Sequence, residues 1–381
     1  VIASLKNCLA NPVRSLVVSL CLVALLTPFL TALAISEGIK KDTRALVDAG
    51  ADIYVTGDQF GSNAPMPLSS LKPLADLPGV VRVVPRVIGR TYLNQYFLAV
   101  LGISPAHLPP SIHLLQGRVF HEPGEVLLGE NLAALFHIKP GARFYLSRNP
   151  GQHFRVAGIF SSTFQPWKAD LVVMSFEDAA RLFHLPGMAT DFLITCRPGY
   201  ETPLAEQILQ IKALHPEGSP PLRVQTKSLI TSYLLKGFDT RAGILAGFYT
   251  LAFLLAVPII LLTSGLGFSG RKQEIGIAKA LGWQTQEVLI LAGLENVWLA
   301  LFSLPWLLFF SQLWLRAGNG FLLNRFFIAN WAILPPFSVP AQTFPMPFLL
   351  TLFLTLVLTL VGSLYSTWRM AVVPPHQAMH T

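Results

Sequence analysis

His376 and His380 stand four residues apart, the spacing at which a helix presents two imidazoles to one metal ion. No third ligand lies near them, so the pair reads as a solvated tail. The other seven histidines (His107, His113, His121, His137, His153, His184, His215) show no paired ligand spacing. Cys8, Cys21 and Cys196 are too few for a disulfide framework and too far apart for a metal knuckle. No G-x-S-x-G elbow presents a nucleophilic serine, and no G-x-x-x-x-G-K-S/T loop cradles a phosphate. The sequence is therefore expected to be non-catalytic, to hold no metal or cofactor, and to hydrolyse no ATP itself.

Glu295 lies in an otherwise uncharged run, about eight residues from its start. At 1.5 Å per residue that is about 12 Å deep, a costly place for an acid in a membrane. Two readings stay open: a structural carboxylate hydrogen-bonded to neighbouring helices, and a direct part in transmitting motion. Asn296 beside it offers an interhelical hydrogen bond. Gly243 and Gly247 form a small-residue motif that permits close helix approach. Such a motif also arises by chance, so a dimer contact there is one of two readings.

The elements holding these residues follow from composition. Of 381 residues 52% are hydrophobic and 13% charged, with mean hydropathy +0.53. Soluble domains carry about 25% charge, so an ordinary soluble enzyme and a disordered chain are both excluded. The net charge is +8. From Glu37 to Asp239 the 19 basic and 17 acidic residues nearly cancel, whereas the remainder has 9 basic and 3 acidic. Those basic residues flank long apolar runs, which is a membrane pattern and not a nucleic-acid one.

Uncharged or nearly uncharged runs occupy Ser15–Ile35, Ala242–Gly270, Val288–Leu315 and, after a proline-rich stretch, Phe348–Trp368. Each is long enough to cross a bilayer. The expected order is a cytoplasmic N-terminus (1–14), span one (15–36), an external domain (37–240), span two (242–269), a cytoplasmic helix (270–286), span three (287–314), an external loop (315–347), span four (348–368) and a cytoplasmic tail (369–381). The first run is longer than the 7–15 residues of a signal-peptide core, although Ala32-Leu33-Ala34 resembles a cleavage site. Lys6, Arg14, Arg271, Lys272, Lys279 and Arg369 fall on one side of this arrangement, against Arg316 and Arg325 on the other. The excess marks the cytoplasmic side.

The block from 37 to 240 mixes strand and helix patterns. Ala51–Thr56, Val80–Tyr92, Tyr96–Ile103, Glu125–Gly129, Arg143–Ser147, Phe154–Phe160, Asp191–Cys196 and Leu222–Thr226 read as strands. Leu68–Leu77, Gly129–Ile138 and Thr202–Leu214 read as helices. The order β-α-β-β, an inserted β-rich lobe at about 116–188, then β-α-β predicts a split ferredoxin-like unit in two lobes. Ser228–Phe238 is either an interfacial helix or an extension of span two into a stalk.

Between spans two and three, Ile275, Ile277, Ala278, Leu281 and Trp283 alternate with Arg271, Lys272, Glu274 and Lys279 at helical spacing. Periodicity alone leaves open whether this amphipathic helix lies in the lipid interface or docks into a partner's groove. The string Arg271-Lys272-Gln273-Glu274-Ile275-Gly276-Ile277-Ala278-Lys279-Ala280-Leu281-Gly282 resembles the R-x-x-E-I-G-x-x-x-A-L-G signature of FtsX-like permeases, the MacB/LolC-type membrane subunits of ABC transporters. Glu295 fits that family's pattern. Gly117-Arg118, Glu125–Gly129, Leu132-Ala133, Pro140-Gly141 and Phe154–Gly158 are similar to its external core domain, and Val373–Ala378 to its cytoplasmic tail.

The resemblance implies an α-helical membrane protein with four spans in a 1+3 arrangement and an external two-lobed α+β domain. It implies a permease in the inner membrane, coupled through Arg271, Glu274, Ile275, Gly276, Ile277, Ala280, Leu281 and Gly282 to a separate ABC ATPase. Two copies of that ATPase would bind the ATP and magnesium. A second permease copy or paralogue, and a membrane-fusion adaptor or lipoprotein carrier, are the further partners implied. The cargo class would be a lipid, a lipoprotein or another hydrophobic compound. The alternative is an FtsX-like signal transducer that controls an external partner without transport. The missing phosphate loop departs from MacB, which carries its own ATPase, and is closer to the LolC/LolE or DevC arrangement.

Overall fold

A computed structural model describes residues 4, 12–146, 153–211, 214, 220–264, 275–277, 281–328 and 331–372. They fall into two compact units, one drawn from Val1–Gly38, Asp239–Phe327 and Ala341–Thr381, the other from Ile39–Phe238 and Ile328–Pro340.

In chain order the elements are α1 (Pro12–Asp48), β1 (Ile53–Gln59), β2 (Ser62–Ala64), β3 (Met66–Pro67), α2 (Leu71–Ala75), β4 (Val80–Leu93), β5 (Tyr96–Gly102), β6 (Ile112–Gly117), β7 (Glu125–Gly129) and α3 (Glu130–Leu135). Then follow β8 (Arg143–Tyr145), β9 (His153–Ser162), α4 (Gln165–Asp170), β10 (Leu171–Met174), α5 (Phe176–Leu182), β11 (Met188–Ala189), β12 (Asp191–Cys196), α6 (Glu201–Gln210) and β13 (Leu222–Thr226). Last come α7 (Lys227–Ser264), α8 (Thr285–Gly318), α9 (Leu323–Phe327) and α10 (Met346–Val372).

In the mixed unit the path β13-β1-β12-β4 is antiparallel throughout. With α2 and α6 it is the split β-α-β order expected from the sequence. Period-2 alternation sorts its faces. Ile53, Val55, Phe192 and Ile194 point to the helix side and bury against Leu74, Leu204 and Ile208. The i, i+4 spacing of Leu204 and Ile208 gives α6 its single apolar stripe. Tyr54, Thr56, Leu193 and Thr195 point to the other face.

The sheet does not stop at β4. This strand is 14 residues long; Val80–Arg86 pair with β12 and Val87–Leu93 pair with β5. The path then continues β5-β10-β7-β9-β6. One long strand thus serves both halves of the sheet, and the hairpin at Asn94 (φ +54°) returns the chain beside it. Strands β7 and β10 are buried along their whole length. They read as continuous apolar runs because both faces are covered. One face carries Val126, Leu128, Val172 and Met174 under α3 and α5. The other carries Leu127, Leu171 and Val173 under Phe120 and Trp167.

Buried carboxylates tie the turns of this half together. Asp178 accepts from Ser175 Oγ (2.8 Å), Gly124 N (2.8 Å) and Arg181 (2.6 Å), and Ser175 Oγ in turn accepts from Asp178 N, capping α5. Glu125 accepts from Arg118 (2.6 Å), His121 N and Glu122 N. Burial alone would raise its pKa, but these donors outweigh it and hold it below the usual carboxylate value.

In the other unit, α1, α7, α8 and α10 all feed one apolar cluster around Leu22, Leu26, Phe29, Leu299, Leu307 and Leu358. Phe29 meets Tyr249 edge-on at 4.9 Å. Among the described residues two helices are long and apolar enough to cross a membrane, Ser15–Asp48 and Thr285–Gly318. In α10 the described apolar stretch is Met346–Val361, and α7 runs unbroken for 38 residues.

On α8 and α10 small hydroxyl residues are buried beside the apolar cluster, and large apolar residues face outward. Ser303, Ser311, Thr351, Thr355 and Thr359 are buried, while Trp306, Phe309, Phe353 and Val361 are exposed. Each inward hydroxyl is satisfied: Thr351, Thr355 and Thr359 donate to the carbonyls of Pro347, Thr351 and Thr355, Ser303 donates to Leu299 O, and Ser311 Oγ accepts from Thr31. Small hydroxyl residues let helices approach closely where no water competes.

Candidate functional site

The segment between α7 and α8 is described at Ile275–Ile277 and from Leu281 onward; Arg271, Glu274 and Ala280 lie outside the described residues. Residues 275–277 are helical. Ile275 and Gly276 are buried, and Ile275 packs on Val288 at the start of α8. Ile277 faces outward, and Leu281 and Trp283 are exposed beyond it. Leu281 N donates to Ile277 O at 3.0 Å, closing the last turn. Gly282 then takes φ +94°, the left-handed stop that favours glycine. Gln284 N donates to Glu287 Oε2 at 2.9 Å, fixing the first turn of α8. The sequence pattern placed Ile275 and Ile277 on one apolar face. The structure divides them, since two helical positions apart is a rotation of about 200°: one anchors the segment and the other is presented outward with Leu281 and Trp283.

Glu295 is buried in α8, and Asn296 Nδ2 donates to Ala292 O of the same helix at 2.8 Å. Counting in fours from Glu295 gives Leu299, Ser303, Leu307 and Ser311, all buried, so the acid belongs to the inward face of α8. The hydroxyl row facing inward from α10 went unread in the sequence, although Thr351, Thr355 and Thr359 repeat at i, i+4. Gly243 and Gly247 lie on α7 with their faces open: a Cβ built on either meets nothing within 4 Å. His376 and His380 lie outside the described residues, and among the described residues no group of three His, Cys, Asp or Glu comes together.

The mixed unit carries a site that the sequence did not announce. On the face of the β13-β1-β12-β4 path away from α2 and α6, Arg82, Val84 and Arg86 of β4 lie beside Asp191, Leu193 and Thr195 of β12 and Tyr54 and Thr56 of β1. They floor a cleft of about 570 Å³. Arg86 Nε and Nη2 fork onto Asp191 Oδ1 and Oδ2 at 2.9 and 2.5 Å. The guanidinium also sits 5.6 Å from the Tyr54 ring centre. Burial disfavours the guanidinium's charge, yet the Asp191 carboxylate more than compensates and holds its pKa above the ordinary value. Tyr54 is raised chiefly by burial, and its hydroxyl accepts from Ala51 N at 3.2 Å. The walls come from the end of α1 (Leu46, Val47), the start of α7 (Ile230, Leu234), the loop after β5 and Trp167. A polar floor under apolar walls is the usual build of a small-molecule pocket.

Three comparisons bear on these features. Residues 246–375 match the family model described as "FtsX-like permease C-terminal". Solved structures similar to the chain include the periplasmic region of MacB from Actinobacillus actinomycetemcomitans, at 15% identity over 49% of this chain and 95% of that one, with a TM-score of 0.38. Another is the extracellular domain of the noncanonic ABC-type transporter YknZ from Gram-positive bacteria, at 12% identity over 46% of this chain and 99% of that one, with a TM-score of 0.36. No curated protein matches.

Proposed function

We propose, from the match of residues 246–375 to the model described as "FtsX-like permease C-terminal", that the chain is the membrane subunit of an ABC transporter, docked through Ile277, Leu281 and Trp283 to a separate ATPase. The observation that carries this reading is the division of the 275–283 segment, with Ile275 seated on Val288 and three large apolar side chains left outward. An amphipathic segment of this kind suits a partner's groove. Four spans and a cytoplasmic position for the segment are supported by the four uncharged runs and the excess of basic residues on its side. Outward aromatic residues and inward hydroxyls on α8 and α10 favour lipid around them.

In this function ATP binding draws two permease copies together at their cytoplasmic segments, and α1 and α7 carry the shift into the mixed domains. Each is long enough for that: 37 and 38 residues span about 55 Å, well beyond a hydrocarbon core of about 30 Å. Charged cargo finds few partners inside, so a lipid, lipoprotein or other hydrophobic compound is the class that fits.

Ile277→Asp and Leu281→Asp test the docking, because neither side chain supports the fold. An ABC ATPase should co-purify with the parent protein and be lost from both variants, with membrane insertion unchanged. Retention of the ATPase by both variants overturns the docking. A cell-wall hydrolase co-purifying in place of an adaptor or carrier moves the function to signal transduction.

A further inference from the structure

The cleft floored by Arg82, Arg86 and Asp191 has no part in the coupling just described. We propose that it binds an anionic amphiphile, a molecule with a carboxylate or phosphate head and an apolar body. The charge of the lining sets the sign of the head. Its charged and titratable residues are Tyr54, Arg82, Arg86, His107 and Asp191. Asp191 is occupied by the two-pronged bond to Arg86, which leaves that pair neutral. Arg82 has no ion-pair partner among the described residues, so a fixed, uncompensated positive charge remains at the floor.

Two further features specify a ligand and not just a surface. Ser111 lines the same cleft, and its Oγ is buried with no hydrogen-bond partner among the described residues. Buried hydroxyls are almost always paired, so its donor and acceptor capacity awaits a polar group. Opposite the floor, Leu46, Val47, Leu108, Trp167, Ile230 and Leu234 supply apolar wall. A small soluble anion would leave that wall wet; an uncharged hydrocarbon would offer nothing to the Arg82 charge and would leave Ser111 Oγ unpaired. An amphiphile meets both demands. Arg86 and Asp191 serve as its rigid base, since each already fixes the other.

Photolabelling of the full chain in nanodiscs tests this without the ATPase, so its outcome is independent of the permease reading. The probes are a diazirine-bearing palmitic acid, its methyl ester, and a phosphatidylglycerol with the same photoreactive chain. The acid should label peptides covering 103–111 and 227–234. Labelling should fall about fivefold in Arg82→Gln, the loss of one charge-assisted hydrogen bond, and recover in Arg82→Lys. Leu234→Trp, which fills the cleft, should remove it. The methyl ester should label these peptides weakly in every variant. If phosphatidylglycerol labels them too, the head is that of a bilayer lipid; if only the acid does, the occupant is a free acid, and either result upholds the site. Equal labelling by acid and ester, labelling indifferent to Arg82→Gln, or labels confined to 15–36 and 285–318 overturns it.

Discussion

Arg86 and Asp191 are separated by 105 residues in sequence and joined by two hydrogen bonds of 2.9 and 2.5 Å across adjacent strands. Their side chains are 16% and 8% exposed, so neither charge is well hydrated. Removing one partner strands the other. Arg86→Met and Asp191→Leu should each destabilise the mixed unit by about 3–5 kcal/mol, while the double variant recovers most of the loss. Denaturant unfolding of all four proteins measures the coupling. Additive losses in the double variant would mean the pair contributes nothing as a pair.

Asp170 gives this unit a pH dependence of opposite sign to that of a salt-bridged acid. Its Oδ1 is buried without a hydrogen-bond partner. Burial pushes its pKa from 3.8 to about 7 despite the opposing charge of Arg90. The folded protein therefore keeps a proton that the unfolded chain gives up. Below pH 4 both states are protonated and no penalty arises. From pH 4 to 7 the unfolded state ionises first, and stability falls by up to about 4 kcal/mol. Asp170→Asn removes this slope. Stability of variant against parent should match near pH 4 and diverge towards pH 8, and a constant difference across that range would place the titration elsewhere.

The strands of the mixed unit were legible because alternation and apolar runs are local. Asp191–Cys196, Glu125–Gly129 and Leu222–Thr226 occupy the residues their patterns indicated. The cleft was not legible, since it depends on which sheet face α2 and α6 leave open and on a register linking residues about 100 positions apart. Nothing near Arg86 in sequence marks Asp191 as its partner. The 275–283 segment was legible as amphipathic, but which isoleucine packs inward depended on where α8 begins. Strand β10 and helix α5 escaped notice for another reason: Leu171–Met174 is four residues long, too short to show a period.

Gly117 shows a sequence feature whose cause only the structure supplies. It sits at φ +79°, and a Cβ there would come within 2.2 Å of Ala157 O, the carbonyl that accepts from Arg118 N. Gly117→Ala thus combines backbone strain with a clash against an immovable ladder atom. A loss of at least about 2 kcal/mol is expected. Gly141→Ala is the control, with φ +91° and nothing within 4 Å of its Cβ, so it isolates the strain alone. Unfolding midpoints of the two variants should differ, with Gly117→Ala the lower; equal midpoints would mean that the strand pair opens to admit the methyl group.

Gly243 and Gly247 form a small-residue motif on α7, and a Cβ added at either meets nothing within 4 Å among the described residues. A helix in lipid gains little from exposing glycine, but gains close packing when a second helix meets it. The second helix is expected to be α7 of another copy of this chain. Gly247→Cys, in a background with Cys8, Cys21 and Cys196 replaced by serine, should form a disulfide-linked dimer in membranes. Gly247→Leu should weaken the association without changing the fold, because a Cβ at this position meets nothing within 4 Å among the described residues. If nucleotide draws the two copies together at their cytoplasmic segments, the yield of cross-link should also change with ATP and vanadate once the ATPase is bound. A monomer in nanodiscs, with no cross-link at Gly243 or Gly247, would remove α7 from the contact and leave the mechanical coupling without its hinge.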